Sequence, residues 1–181
     1  TGGGLVGVAM SEAIEPFRIE VPEAVLGDLR ERLARARFPD QLEDAGWSYG
    51  TELCYLRELL AYWRDHYDWR RHEALLNGFP HFQTTLDGQR VRFLHVRSPH
   101  EDAFPLVVTR LAGSIFEFHK ILGPLTDPTR HGGNAADAFH VVCPSIPGYG
   151  FSDPPRTPGW DARRMAEINA GLMARLGYPR Y

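Results

Sequence analysis

The sequence predicts an α/β fold: a helical segment, a hairpin, then parallel strands covered by helices. Three observations predict it. Apolar residues recur three and four apart over residues 22–36 and 51–67, the spacing of one helix face. The pattern turns to period two on either side of Asp87-Gly88. Two short apolar runs, residues 105–109 and 139–143, are each followed by a turn and a helix-like stretch, the order of a βαβ unit.

Residues 17–21 alternate apolar and polar and suit a short strand. Pro22 fits the first turn of a helix, where its missing N–H costs nothing. Val25, Leu26, Leu29 and Leu33 follow at helical spacing, and Pro39 ends the segment. A second helix is expected over residues 51–67, with Leu53, Leu56, Leu60, Trp63 and Tyr67 forming a stripe for core packing. Trp69, Arg70 and Arg71 continue it, and Asn77-Gly78 stops it. Residues 79–86 and 90–97 are the hairpin strands. Residues 105–109 make a buried strand, and residues 115–123 a helix after the Gly113-Ser114 turn. Residues 127–136 form a polar loop, and residues 139–143 a second buried strand. The segment 145–158 holds Pro147, Pro154, Pro155 and Pro158, so it is a stiffened loop rather than a linker. Residues 161–176 form the last helix, capped by Gly177.

Composition narrows the functional classes. The 181 residues suffice for one domain with a core, and 43% hydrophobic and 24% charged residues are ordinary for a globular protein. A net charge of −3 gives no general attraction to nucleic acid. The arginines at 30, 32, 35 and 37 are interleaved with Glu31 and apolar residues and read as a solvated helix face. Cys54 and Cys143 lie far apart, and the eight histidines follow no metal-ligand spacing, so neither a disulfide framework nor a metal is expected. No apolar stretch nears the roughly 20 residues that span a bilayer. The glycine-rich start lacks a basic n-region, and residues 1–15 read as a leader or disordered stretch, so the expected location is the cytoplasm.

In an open α/β sheet, chemistry gathers in loops at the carboxyl ends of strands. Two loops qualify. One follows residues 107–109 and reads Arg110, Leu111, Ala112, Gly113, Ser114. The other follows residues 141–143 and contains Pro147, Gly148, Tyr149, Gly150, Phe151, Ser152.

The second loop resembles the P-G-[YF]-G-x-S loop of α/β-hydrolases. The N-terminal part is more specific. Trp47-x-Tyr49-Gly50, Tyr55-Leu56, Tyr62-Trp63, Tyr67-Asp68-Trp69-Arg70 and Leu76-Asn77-x-Phe79-Pro80-His81-Phe82 resemble the N-terminal region of microsomal-type epoxide hydrolases. So does Asp87-Gly88 before Phe93-Leu94-His95. The resemblance implies an incomplete α/β-hydrolase fold: residues 16–78 as the family's N-terminal helical segment and 79–181 as the first part of the core. It also implies a parent enzyme that hydrolyses epoxides to vicinal diols without cofactor. An aspartate attacks a ring carbon, and a histidine oriented by an acidic residue directs water onto the ester. The nucleophile's strand–helix turn is expected after Tyr181, so this chain alone is expected to lack catalytic residues and activity. The alternative is a non-catalytic scaffold or interaction protein on the same fold. His95, His119 and His140 are expected to be packing or surface residues, and Asp153 and Asp161 turn and cap residues. An unpaired sheet edge makes self-association the expected behaviour of the isolated chain.

The first loop departs from the resemblance. The family's His-Gly-x-Pro-Gly-Ser supplies an oxyanion donor at x, whereas here the stretch after Thr109 is Arg110-Leu111-Ala112-Gly113-Ser114, one residue shorter. Arg110 is expected to bring a cation towards an apolar site. With lysine only at position 120, the basic residues point to GC-rich coding. The codons CAC GGC TGG CCC, after losing CA and then one C, read CGG CTG GCC, which is Arg-Leu-Ala. The hypothesis is a compensated frame slip, either a sequencing error or a genuine lesion. Resequencing this locus tests it: an intact, uninterrupted Arg-Leu-Ala reading shared by independent clones excludes the sequencing-error version.

Overall fold

Residues 12–110 and 115–181 are described by the computed structural model, and they divide into two units. One is the helical unit Glu20–Ala74; the other is built on a sheet and takes the remaining described residues.

The helical unit contains α1 (Glu23–Ala34), α2 (Leu53–Asp65) and most of α3 (Trp69–Leu76). Pro22, with φ −57°, sits at the N-cap of α1, one position before the expected first turn. The side chain of Glu52 caps α2 by accepting from the Tyr55 N–H at 3.4 Å. The expected continuation through Trp69 is broken. His66 and Tyr67 both donate their N–H to the Tyr62 carbonyl, which ends α2, and Asp68 accepts from the Arg71 N–H at 3.2 Å, which starts α3. Glu73 then fastens the chain entering α1, accepting from the Val21 N–H at 2.7 Å, Arg70 at 2.7 Å and the Trp69 indole at 3.2 Å. The Val21 hydrogen bond is the main cause holding this carboxyl below its usual pKa.

The apolar stripe of α2 does not enter a closed core. No residue of α2 is fully buried; Trp63 is 43% and Tyr67 36% exposed. With Leu26, Leu29 and Leu33 of α1 they wall a groove of about 480 Å³. A few short helices enclose too little volume to bury side chains of this size on every side.

The sheet unit has strand order β1-β2-β3-β5-β4. β1 (Glu15–Pro16), β2 (His81–Leu86), β3 (Gln89–Val96) and β5 (Phe139–Pro144) pair antiparallel in that order, and β4 (Phe104–Val107) joins β5 in parallel. Asp87 and Gly88 have φ of 48° and 70°, the left-handed pair that matches a two-residue turn to strand twist. The strand expected at residues 17–21 does not form: β1 lies just before it, and within 17–21 the Phe17 N–H, which donates to the His81 carbonyl, continues the pairing with β2 for one residue. Beyond them the Asn77 side chain takes a strand's place. Its amide oxygen accepts from the Ile19 N–H at 2.9 Å, and its NH₂ donates to the Ile19 carbonyl at 2.8 Å.

The helix expected at 115–123 divides into a 3-10 turn, Ile115–Phe118, and α4 (His119–Thr126), which runs past Pro124. α5 (Ala162–Arg175) begins at Asp161, whose carboxylate accepts from the Arg164 N–H at 2.9 Å. Ile168, Leu172 and Met173 of α5 pack on Leu86, Val91, Phe93 and Val142. Val141 and Cys143 alternate with Val142 on β5, are just as buried, and lie outside that cluster; α4, which also packs on β5, covers their face.

Past α5, the Tyr178 hydroxyl meets His95 Nε2 at 2.9 Å, and its ring stacks on His140. The Ser98 N–H donates to His140 Nδ1 at 3.0 Å. Burial, then the nearby Arg97 and His140, pull the His95 pKa from 6.5 to about 4. The folded pKa lies below the unfolded one, so this contribution is complete above pH 6.5 and is lost as pH falls towards 4. Replacing His95→Phe should shrink the loss of stability between pH 7.5 and 5 by about 1–2 kcal/mol. Denaturant unfolding at the two pH values measures it, and an unchanged pH dependence in the variant would refute the assignment.

Candidate functional site

β4 and β5 are adjacent parallel strands, with Val107 opposite Val142 and the Val108 N–H donating to the Val142 carbonyl at 2.9 Å. Their outgoing loops leave the same end of the sheet. The helices α4 and α5 cover opposite faces of this strand pair. Open α/β sheets bind ligands beyond the carboxyl ends of their strands, where these two loops emerge.

Of the first loop, residues 111–114 lie outside the described residues, and the expectation for Leu111, Ala112, Gly113 and Ser114 falls there. Arg110 is described. Its guanidinium pairs with Glu117, and its side chain is 59% exposed, so the cation is held in a surface ion pair. Among the described residues no group of three or more His, Cys, Asp or Glu could hold a metal ion.

The second loop is built as a brace. Ser145, Ile146, Pro147 and Ser152 are buried, while Gly148, Tyr149 and Gly150 are exposed. The Tyr149 N–H donates to the Ile146 carbonyl at 2.8 Å, and the Ser152 N–H to the Tyr149 carbonyl at 3.2 Å, two consecutive turns. Gly148 and Gly150 have φ of 86° and 55°. A Cβ at Gly150 would lie 2.9 Å from Ser145 Oγ, so that position has both the conformation and the space only of glycine.

β3 holds the loop from beside. The Ser145 N–H donates to the Arg92 carbonyl at 2.9 Å. Ser152 Oγ donates to the Ser145 carbonyl at 2.6 Å and accepts from the Arg92 N–H at 2.9 Å. The Arg92 guanidinium donates to the Phe151 carbonyl, pairs with the Asp153 carboxylate at 3.3 Å and covers the Phe17 ring at 4.6 Å. The Gln89 amide donates to the Asp153 carbonyl at 2.7 Å. Asp153 is thus more than a turn residue. Arg92 and Gln89 carry no sequence signal of their own, because polar residues alternating along a hairpin strand read as solvent-facing.

His95 and His140 lie with Tyr178, and His119 Nδ1 meets the Phe116 carbonyl. No hydrogen bond links any of the three to the second loop, consistent with packing and surface roles.

The family described as "Epoxide hydrolase N terminus" matches residues 14–118. A Stigmatella aurantiaca protein is 51% identical over 169 residues, covering 93% of this chain and 38% of that protein. Epoxide hydrolase 1 of Sus scrofa is 38% identical, covering 99% of this chain and 40% of the relative. The chain therefore spans about two fifths of the length of these relatives. The crystal structure of juvenile hormone epoxide hydrolase from Bombyx mori superposes with a TM-score of 0.82 at 33% identity, covering 95% of this chain and 46% of that one. Aspergillus niger epoxide hydrolase gives 0.78 at 30%, covering 93% and 44%.

Replacing Ser152→Ala removes a donor to one buried backbone group and an acceptor from another. The expected loss is about 1–3 kcal/mol of unfolding free energy. A loss below about 0.5 kcal/mol in denaturant titration would show that the brace contributes little.

Proposed function

The chain belongs to the epoxide hydrolase family through its N-terminal region, and from that premise we propose that it is the front part of an enzyme converting epoxides to vicinal diols. The observation that carries this reading is the family match over residues 14–118, which takes in the helical unit and the sheet through β4 and its outgoing loop. The parallel pairing of β4 with β5, which sends both candidate loops out at one end of the sheet, agrees with it.

In this reading the chain frames the site and the reacting groups come from elsewhere in the enzyme. A carboxylate attacks an epoxide carbon, the C–O bond opens to an alkoxide that is protonated, and water then cleaves the ester to release the diol and restore the carboxylate. The residues present here have two tasks. The stretch after β4 holds the family's oxyanion-donor position in sequence, and such donors act only when held at hydrogen-bond distance from the developing oxyanion. The braced loop after β5 forms a fixed wall beside it. No cofactor enters this chemistry.

The test uses the natural reading frame that contains this chain. The encoded protein should convert an aryl epoxide such as styrene oxide to its diol, with one oxygen taken from ¹⁸O-labelled water after multiple turnovers. Folded protein that forms no diol from a panel of epoxides refutes the proposal. Residues 1–181 expressed alone should form none, and turnover by that chain that a single substitution in it abolishes would refute the division of labour.

A further inference from the structure

Two histidines hold the connection between β3 and β4, residues 97–103, and they need opposite charge states to do so. The Ser98 N–H donates to His140 Nδ1 at 3.0 Å. A backbone N–H only donates, so this nitrogen must offer a lone pair and the ring must be neutral. His140 is buried in β5, opposite Pro105 of β4. The titratable groups around it are His95 on β3, Arg97 just past β3, and Tyr178 beyond α5, whose ring stacks on it. Burial, then Arg97, hold the His140 pKa below its usual value.

His100 has the reverse requirement. Its own N–H is fixed to Ser98 Oγ at 3.0 Å. Its Nε2 is buried, has no hydrogen-bond partner among the described residues, and lies 3.5 Å from Asp127 Oδ1. That distance is long for a hydrogen bond, and a buried nitrogen left so calls for a reason. A protonated ring supplies one, because it faces a carboxylate able to accept a charge-assisted hydrogen bond. Asp127 also stands at the C-terminal end of α4, where the helix dipole favours a cation. Thr129 and Arg130 bind the same carboxylate. Glu101 and Asp102, the acidic residues of the connection itself, are exposed.

From this geometry we infer, independently of the epoxide-hydrolase reading, that residues 97–103 form an acid-sensitive hand-over: protonation of His140 frees Ser98 from β5, and protonation of His100 ties the same connection to Asp127 at the end of α4. The folded pKa of His140 lies below its unfolded one, so its hold on Ser98 is complete above pH 6.5 and is lost as the pH falls below that value. The hold on His100 changes in the other direction, because the ion pair exists only when the imidazole is charged. The device lies at the amino end of β4, away from the two candidate loops.

Hydrogen exchange of the natural-length protein at pH 7.5 and pH 5 tests this, resolved to single amides and corrected for the intrinsic pH dependence of exchange. Protection of the Ser98 amide should fall about tenfold in acid. Protection of the Ala103 amide, which donates to the His100 carbonyl at 3.2 Å, should hold. His140→Asn keeps an acceptor near the Nδ1 position and does not titrate, so Ser98 should stay protected at pH 5. Asp127→Asn keeps the shape of the carboxylate without its charge, so Ala103 should lose protection together with Ser98. Amides of β5 report whether each variant is folded, and where one is not, the comparison of Ser98 with Ala103 in the parent decides. Ser98 protection that does not change with pH overturns the inference. So does an equal acid loss at both amides of the parent, which is plain fraying of the connection. An acid loss at Ser98 that persists in a folded His140→Asn overturns the role of His140, and an Ala103 that stays protected in a folded Asp127→Asn overturns that of Asp127.

Discussion

The structure depends on the burial of β5 on every side. It pairs with β3 along one edge and β4 along the other. Val142 faces α5, and Val141 and Cys143 face the opposite side; all three have no measurable exposure. Side chains alternate along a strand, so a slip of one residue would exchange the two sets. Both helices depend on that register, and so does the place where the two loops emerge. Burial also settles the chemistry of Cys143. Its thiol is pushed up to about 12, so it stays protonated and acts as a small apolar side chain.

What β5 fixes in position, β3 fixes in shape. A loop with positive φ at two glycines closes its own turns by hydrogen bonds within it, and hydrogen bonds from β3 fasten it to the sheet. Arg92 contributes its N–H, its carbonyl and its guanidinium to the same short segment. Burial lowers the Arg92 pKa and the Asp153 carboxylate raises it; an arginine remains charged under both. The face of that guanidinium rests on Phe17, so the residue that follows β1 also supports the loop.

The sequence was legible where a pattern had one physical cause. The Asp87-Gly88 turn, the buried run of β5 and the stripe of α5 each follow from local periodicity or turn chemistry, and each lies within two residues of its expected place; β4 also forms where it was expected, but as an edge strand whose residues are exposed or half-buried rather than buried on both faces. Legibility failed where a side chain took over a backbone role. Nothing local marks Asn77 as the hydrogen-bond partner of Ile19, 58 residues away, or Asp68 as a cap inside an apparently continuous helix. The α2 stripe shows another limit. Periodicity says which residues share a face; it does not say whether that face is covered. The candidate loop after β5 stood out by its motif, yet its brace on β3 could not, because Arg92 and Ser152 are 60 residues apart and neither is unusual where it stands.

The outer edge of β4 follows from the same geometry. The N–H groups of Phe104 and Val108 point to β5, so the alternate positions, Pro105 and Val107, face outwards. Proline has no N–H, which leaves the Val107 N–H as the donor on that edge. Proline is tolerated at an edge and not inside a ladder, and here it weakens an edge that would otherwise template strand addition. Yet Val107 is β-branched and half-buried, and it packs against the α5 cluster. The edge is therefore blunted at its start and competent at its carboxyl end, beside the two candidate loops.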